Sequence, residues 1–307
     1  MVDFDTIQNG AYRRIDENLP LLIEKSADGE LSFVIETMPH TPFQAKQLNL
    51  KGITIFERKR LGLVQFVLLL KNEAHKEIFT RLCQDLADVP KVESEQKYIN
   101  NISNRLEQWV YFWSAIKNDT MEFRKQMGLM GELQFFNFLV SMKMRPEEVL
   151  DAWLGPDKNP HDFVFLKNLY EVKARTSDDE TISISNENQL EAVDSKDLLL
   201  VVYEFIEGKN SGQTILDMAN QVIAGCFCDD LELRARFERK LLSEGLNIMA
   251  PCSNLIRFEN VGVKYYQVVS GFPRIISSDI PSGILNVKYK LKVDSLTDFL
   301  CTFNKGK

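Results

Sequence analysis

The stretch His161-Asp162-Phe163-Val164-Phe165-Leu166-Lys167-Asn168-Leu169-Tyr170-Glu171-Val172-Lys173-Ala174-Arg175 decides the fold. Apolar and polar residues alternate on either side of Lys167-Asn168, the pattern of two strands joined by a tight turn. With those two residues at the centre of the turn, Leu166 faces Leu169, Val164 faces Glu171 and Asp162 faces Lys173. Cross-strand partners share a face, and so do alternate residues along a strand. Asp162, Glu171 and Lys173 are therefore expected on one side. Phe163, Phe165, Tyr170, Val172 and Ala174 are expected on the other, as core. Asp162 and Glu171 become diagonal neighbours with Cβ atoms about 7 Å apart, close enough for one cation to bridge their carboxylates.

Upstream, helical periodicity runs from about Met127 to Lys143. Within it Glu132 aligns with Phe135, Phe136 and Leu139, on an apolar stripe where a carboxylate is costly unless paired or metal-bound. Downstream, a short helix is expected from about Glu187 to Val193. The continuous apolar run Leu198 to Phe205 then reads as a strand covered on both faces, as in an α/β sheet. Two helices follow, about Gln213 to Ala224 and Asp230 to Glu244, and then strands at Tyr265 to Val269 and Leu285 to Leu291. Before the central region, strands are expected at Leu31 to Ile35 and Leu63 to Leu70. Helices are expected from Ala74 to Leu86 and from Asn104 to Trp113, with a polar linker at Lys91 to Lys97. This pattern suggests an N-terminal α+β accessory domain (1–100), a core (101–228) and a helical, then strand-rich, C-terminal extension (229–307).

Composition excludes several classes. At 307 residues, 44% hydrophobic and with 20 Phe, the chain is neither disordered nor low-complexity. Its longest apolar run, Gly62 to Leu70, is less than half of what a bilayer span needs. No signal peptide is visible, so a cytoplasmic protein with no membrane partner is expected. Five scattered cysteines do not suggest a disulfide framework and are expected as buried thiols. Three histidines make a Cys/His metal site improbable. Net charge is −7, and between Asp151 and Leu200 eleven carboxylates oppose five bases, so nearly all the excess lies in these fifty residues. A solvated surface would explain that, and so would carboxylates gathered around hard cations.

The Glu-x-Lys spacing alone says little, because the chain contains five such tripeptides. Only Glu171-Val172-Lys173 lies in an alternating strand with an acid on the partner strand and an inward Glu on the preceding helix. Glu132, Asp162 and Glu171-Val172-Lys173 together resemble the PD-(D/E)XK nuclease superfamily, with its restriction-endonuclease-like fold. Gly128-Leu129-Met130-Gly131-Glu132-Leu133, Trp153-Leu154-Gly155-Pro156, His161-Asp162-Phe163 and Tyr170-Glu171-Val172-Lys173 are similar to an uncharacterised bacterial PD-(D/E)XK-motif family. Members of that family tend to lie in restriction or phage-defence gene clusters, beside DNA methyltransferases and ATPases. One departure is that His161 follows Pro160, so the literal Pro-Asp pair is absent.

The resemblance implies an α/β core of helix, mixed central sheet and helices on both faces, and a DNA endonuclease using Mg2+ or Mn2+. Asp162, Glu171, the Val172 carbonyl and, more distantly or through water, Glu132 would be metal ligands. The metal would acidify a water and stabilise phosphoryl charge. Lys173 would orient that water or help to deprotonate it, and Gln189 from the following helix would assist. Implied partners are double-stranded DNA, a methyltransferase or ATPase of the same system, and a second copy in a homodimer. An acidic chain binds phosphates poorly unless basic patches compensate. Three are candidates: Arg58-Lys59-Arg60; Arg234, Arg236, Arg239 and Lys240; and Lys288, Lys290 and Lys292. The alternative is a non-catalytic DNA-binding or interaction subunit that keeps the fold. A hydrolase of another phosphoester is a third possibility.

Overall fold

The computed structural model describes residues 2–39, 43, 52–114, 120–193, 196–209, 211–249, 251–285 and 287–303. The chain divides into two units, Met1–Lys117 and Asn118–Lys307. The first holds β1 (Ala11–Arg14), β2 (Leu21–Lys25), β3 (Leu31–Thr37), β4 (Ile53–Arg60), β5 (Leu63–Leu70), α1 (Lys76–Ala87) and α2 (Glu95–Ser114). Its sheet is antiparallel throughout, in the order β1-β2-β3-β5-β4. Residues Lys91 to Lys97, expected as a linker, already contain the start of α2. Arg105 on α2 donates to Asp85 on α1 at 2.6 and 3.0 Å, and the Trp109 indole donates to the same carboxylate at 2.8 Å. This network satisfies a nearly buried guanidinium.

The second unit runs α3 (Phe123–Ser141), α4 (Pro146–Ala152), β6 (Phe163–Val164), β7 (Asn168–Thr176), β8 (Thr181–Ile184), β9 (Asp197–Glu207), α5 (Ile215–Cys226), α6 (Leu231–Ser243), β10 (Phe258–Gln267), β11 (Tyr289–Lys292) and β12 (Leu300–Cys301). Its central sheet has the order β12-β10-β9-β7-β6 and is mixed: β7 and β9 are parallel, and the other pairs are antiparallel. The mixed α/β architecture agrees with the fold class expected from the sequence.

Two details differ from expectation. The hairpin register has Phe163 opposite Tyr170 and Val164 opposite Leu169, two residues away from the expected pairing. Phe165 N–H donates to the Asn168 carbonyl at 2.8 Å, so Leu166-Lys167 forms the centre of the turn. The cause is β9: Asn168 pairs with Asp197 and is drawn into β7 as its first residue. A shift of two leaves every side chain on the face expected for it.

The second difference concerns what covers the sheet. One face is covered by helices, with Tyr170, Val172, Val201, Tyr203 and Phe205 packed into the core that contains Leu133, Phe136, Met218, Val222, Phe237 and Leu241. Among the described residues the opposite face carries no α-helix. Leu169, Leu198, Leu200 and Val202 pack there against Ile182, Ile184 and Leu291 of the β8–β11 ribbon and against Val293 and Leu296 of a 3-10 segment. Helices on both faces were expected. The helix expected at Glu187 to Val193 is a 3-10 turn, Glu187–Leu190, and the strand pair that replaces it joins residues a hundred positions apart.

No disulfide joins the cysteines; Cys83 is buried and Cys228 exposed, so the expectation of buried thiols holds only in part. Among the described residues no helix is long and apolar enough to cross a membrane.

Candidate active site

Glu171 and Lys173 alternate with Tyr170, Val172 and Ala174 on β7, and so point away from the helical layer. Continuing the observed register by one residue sets Asp162 opposite Glu171. Asp162 Oδ2 accepts the Val172 N–H at 2.8 Å, which fixes its carboxylate against the strand. The Lys173 ammonium lies 2.6 Å from Glu171 Oε1 and donates to Gln189 Oε1 at 3.2 Å. Gln189 Oε1 also accepts the Ser185 N–H at 2.7 Å, so the 3-10 turn holds the lysine from its far side.

Glu132 arrives from α3. The helix backbone packs against β7 at Gly131, where a Cβ would stand in ordinary contact, 3.4 Å from Ala174 Cβ and 3.5 Å from Val172 Cγ1. The helix therefore rides close on β7 and carries Glu132 to the rim of the site. The Trp153 indole, fully buried, donates to Glu132 Oε2 at 2.7 Å. A Cβ at Gly155 would fall 2.9 Å from Asp162 Oδ1 and 3.0 Å from Glu132 Oε2. The two carboxylates thus converge on the space that this glycine leaves empty. Leu154 and Gly155 N–H groups both donate to the Asp162 carbonyl, at 2.8 and 3.1 Å. Lys240 ties the loop down from α6 through the Trp153 carbonyl and Asp157, each at 2.5 Å.

The five residues singled out from the sequence therefore lie in one linked cluster. Sequence reasoning gave Trp153 and Gly155 no role in the site and named Lys240 only as part of a basic patch; all three hold the cluster in shape. Trp153 and Gly155 stood within one of the similar motifs, but an indole and a glycine have no titratable chemistry to mark them. Glu244, at the end of α6, was also missed; it acts electrostatically on both Glu132 and Asp162.

Burial, then the Asp162 charge, pushes the Glu132 carboxyl well above its usual range, against the pull of the Trp153 hydrogen bond. Asp162 is raised by burial, with Lys173 and the Val172 N–H opposing. Glu171 has no exposed surface; burial and Asp162 raise it to about 8, and Lys173 opposes. Burial alone would lower Lys173, but Glu171 and Asp162 beside it raise it overall. His161, next to Asp162 and almost fully buried, is lowered by burial.

Neither Glu171 oxygen has a well-directed hydrogen bond, although Oε1 meets the Lys173 charge. A buried carboxylate with an unpaired oxygen is costly and is poised to take a cation or donor. Among the described residues no group of three or more His, Cys, Asp or Glu side chains is arranged to hold a metal. A hard cation such as Mg2+ keeps several waters and needs only one or two carboxylates. The all-oxygen donor set and the open space at Gly155 fit such an ion.

A mixed sheet with a helix-borne Glu, a facing Asp and a Glu-x-Lys strand is consistent with a PD-(D/E)XK-like fold. The chain matches over residues 9–294 the model of a family, DUF4420, described as "Putative PD-(D/E)XK family member". It belongs to that family. No curated protein and no solved structure matches the chain. Members of the PD-(D/E)XK superfamily are usually nucleases and typically use divalent metals.

Proposed function

We propose that the protein is a Mg2+-dependent DNA endonuclease, with Mn2+ as a substitute ion, acting in a restriction or phage-defence system. The observation that carries this reading is Glu171: a carboxylate with no exposed surface, raised to about 8, opposite Asp162 and beside Lys173. Three buried carboxyl groups share one ammonium here, so their ionised forms are costly unless a further cation is bound among them.

Asp162, Glu171 and the Val172 carbonyl would hold the cation, with Glu132 an outer ligand or one bridged by water. Bound there, the cation would acidify the attacking water and stabilise charge on the phosphoryl oxygens. Lys173 would orient that water and take part in its deprotonation, while Gln189 fixes the ammonium from the other side. Trp153 would hold Glu132 in place, and Gly155 would leave the room required. Plasmid DNA incubated with Mg2+, with Mn2+ and with chelator tests the reading, with Glu171→Gln as control. Cleavage that needs the ion and disappears in the variant supports it; no cleavage under either ion, with or without partner proteins, refutes it.

One observation favours the second reading, a non-catalytic DNA-binding or interaction subunit. The Lys173 ammonium already sits 2.6 Å from Glu171 and could balance it permanently. In that case divalent ions would leave the melting temperature unchanged.

A further inference from the structure

The three basic patches in the sequence differ in what the fold does with them. Arg58 and Arg60 both reach Glu24. On α6, Arg234 pairs with Glu238, Arg236 with Asp151 and Lys240 with Asp157. Most of that charge is neutralised within the molecule. Lys288, Lys290 and Lys292 are different. All three are exposed, and among the described residues no ion pair involves them.

Strand alternation explains why. Leu291 on β11 turns inward to the core, so Lys290 and Lys292 turn outward, with Lys288 in step just before the strand. Opposite them on β8 stand Ser183, partner of Lys290, and Thr181, partner of Lys292. The outer face of the ribbon thus presents lysines beside hydroxyls, with no carboxylate on either strand. Lysines two residues apart on a strand are spaced by about 6.6 Å. Ammonium and hydroxyl groups are the donors that nucleic-acid phosphates accept.

The ribbon also leads to the site. Directly after β8, the Ser185 N–H holds Gln189 Oε1, the same oxygen that takes the Lys173 ammonium. The strand β8 therefore runs into the turn that grips Lys173.

We propose that the outer face of the β8–β11 ribbon, carrying Lys288, Lys290 and Lys292, is the track that binds the DNA phosphate backbone and delivers it to the Lys173 site. This inference rests on the nuclease reading for its direction but not for its binding chemistry. It would also give a chain of net charge −7 a place to hold a polyanion: neither strand of the ribbon carries an acid, with the exposed Glu180 and Asp294 only at its end.

The test uses the full chain and the triple variant Lys288→Ala, Lys290→Ala, Lys292→Ala, with a labelled DNA duplex in chelator across a salt series. Each phosphate contact contributes about 0.9 to the slope of log K against log salt. The variant should therefore lose about 2 to 3 from that slope and bind at least tenfold more weakly at low salt. Its melting temperature should be unchanged, because among the described residues the three side chains make no hydrogen bond or ion pair. A duplex RNA arm separates DNA from phosphodiesters in general. An unchanged slope, a parent chain that binds no DNA at low salt, or a slope loss on RNA alone overturns the proposal. Lys173→Ala, measured in parallel, keeps the two readings apart. Cleavage with an unchanged triple-variant slope leaves the nuclease and removes the track. A lost slope without any cleavage leaves the track and removes the nuclease.

Discussion

The Lys173 ammonium lies 2.6 Å from a Glu171 carboxylate that has no exposed surface, and Gln189 grips the same ammonium at 3.2 Å. The pair is buried enough that removing one member strands the other. Above about pH 8, where Glu171 is ionised, Lys173→Met should therefore destabilise the apo protein by about 3 to 5 kcal/mol, the cost of an uncompensated buried charge. Adding Glu171→Gln should restore most of the loss. Urea denaturation of the two single variants and the double variant measures the coupling; additive effects would show that the two charges do not depend on each other.

The Glu171 proton gives a pH dependence of definite sign. Its folded value of about 8 lies above its ordinary 4.5, so between the two the folded chain binds more protons than the unfolded one. The contribution is complete below about pH 4.5 and is lost as pH rises through about 8. The apo melting temperature should fall across that window, and Glu171→Gln should flatten the fall. A parent and variant with parallel profiles would remove Glu171 as the source.

Divalent cation should raise the melting temperature by linkage, since the unfolded chain offers no assembled site. Asp162→Asn should abolish that rise and leave the apo protein as stable or more so, because it removes a charge that burial disfavours. An equal Mg2+ response in both proteins would take Asp162 out of the site.

Gly155→Ala tests the open space directly. Its Cβ would stand 2.9 Å from Asp162 and 3.0 Å from Glu132, so both carboxylates must shift. A stability loss of about 1 to 3 kcal/mol is expected from overpacking, together with loss of the metal response. Calorimetry with and without Mg2+ reads both; a variant with normal metal binding would show that the space is not used.

Much of the site was legible because a β-strand has a period of two. The expected hairpin register was off by two residues, yet Asp162, Glu171 and Lys173 kept their common face, since an even slip preserves it. Glu132 was legible as a carboxylate on an apolar stripe. The β8–β11 ribbon was not legible: Thr181–Ile184 is short, and its partner Tyr289–Lys292 lies a hundred residues away. Helices on both faces were implied by the resemblance, and the short one at Glu187 to Val193 was read from local patterning, which does not separate a 3-10 turn from an α-helix. Gly155 and Lys240 act through space and through a loop carbonyl, which no spacing in the chain reveals.

The most direct measurement is Mg2+-dependent cleavage of plasmid DNA by the parent chain and Lys173→Ala, with DNA affinity determined on the same two preparations. In a nuclease Lys173 matters in the transition state, so turnover should drop about a hundredfold or more. Affinity should stay within a few-fold, because binding rests on the ribbon lysines. Equal cleavage by the two proteins, or no cleavage by the parent under any divalent ion with or without its partners, would contradict the assignment of this site.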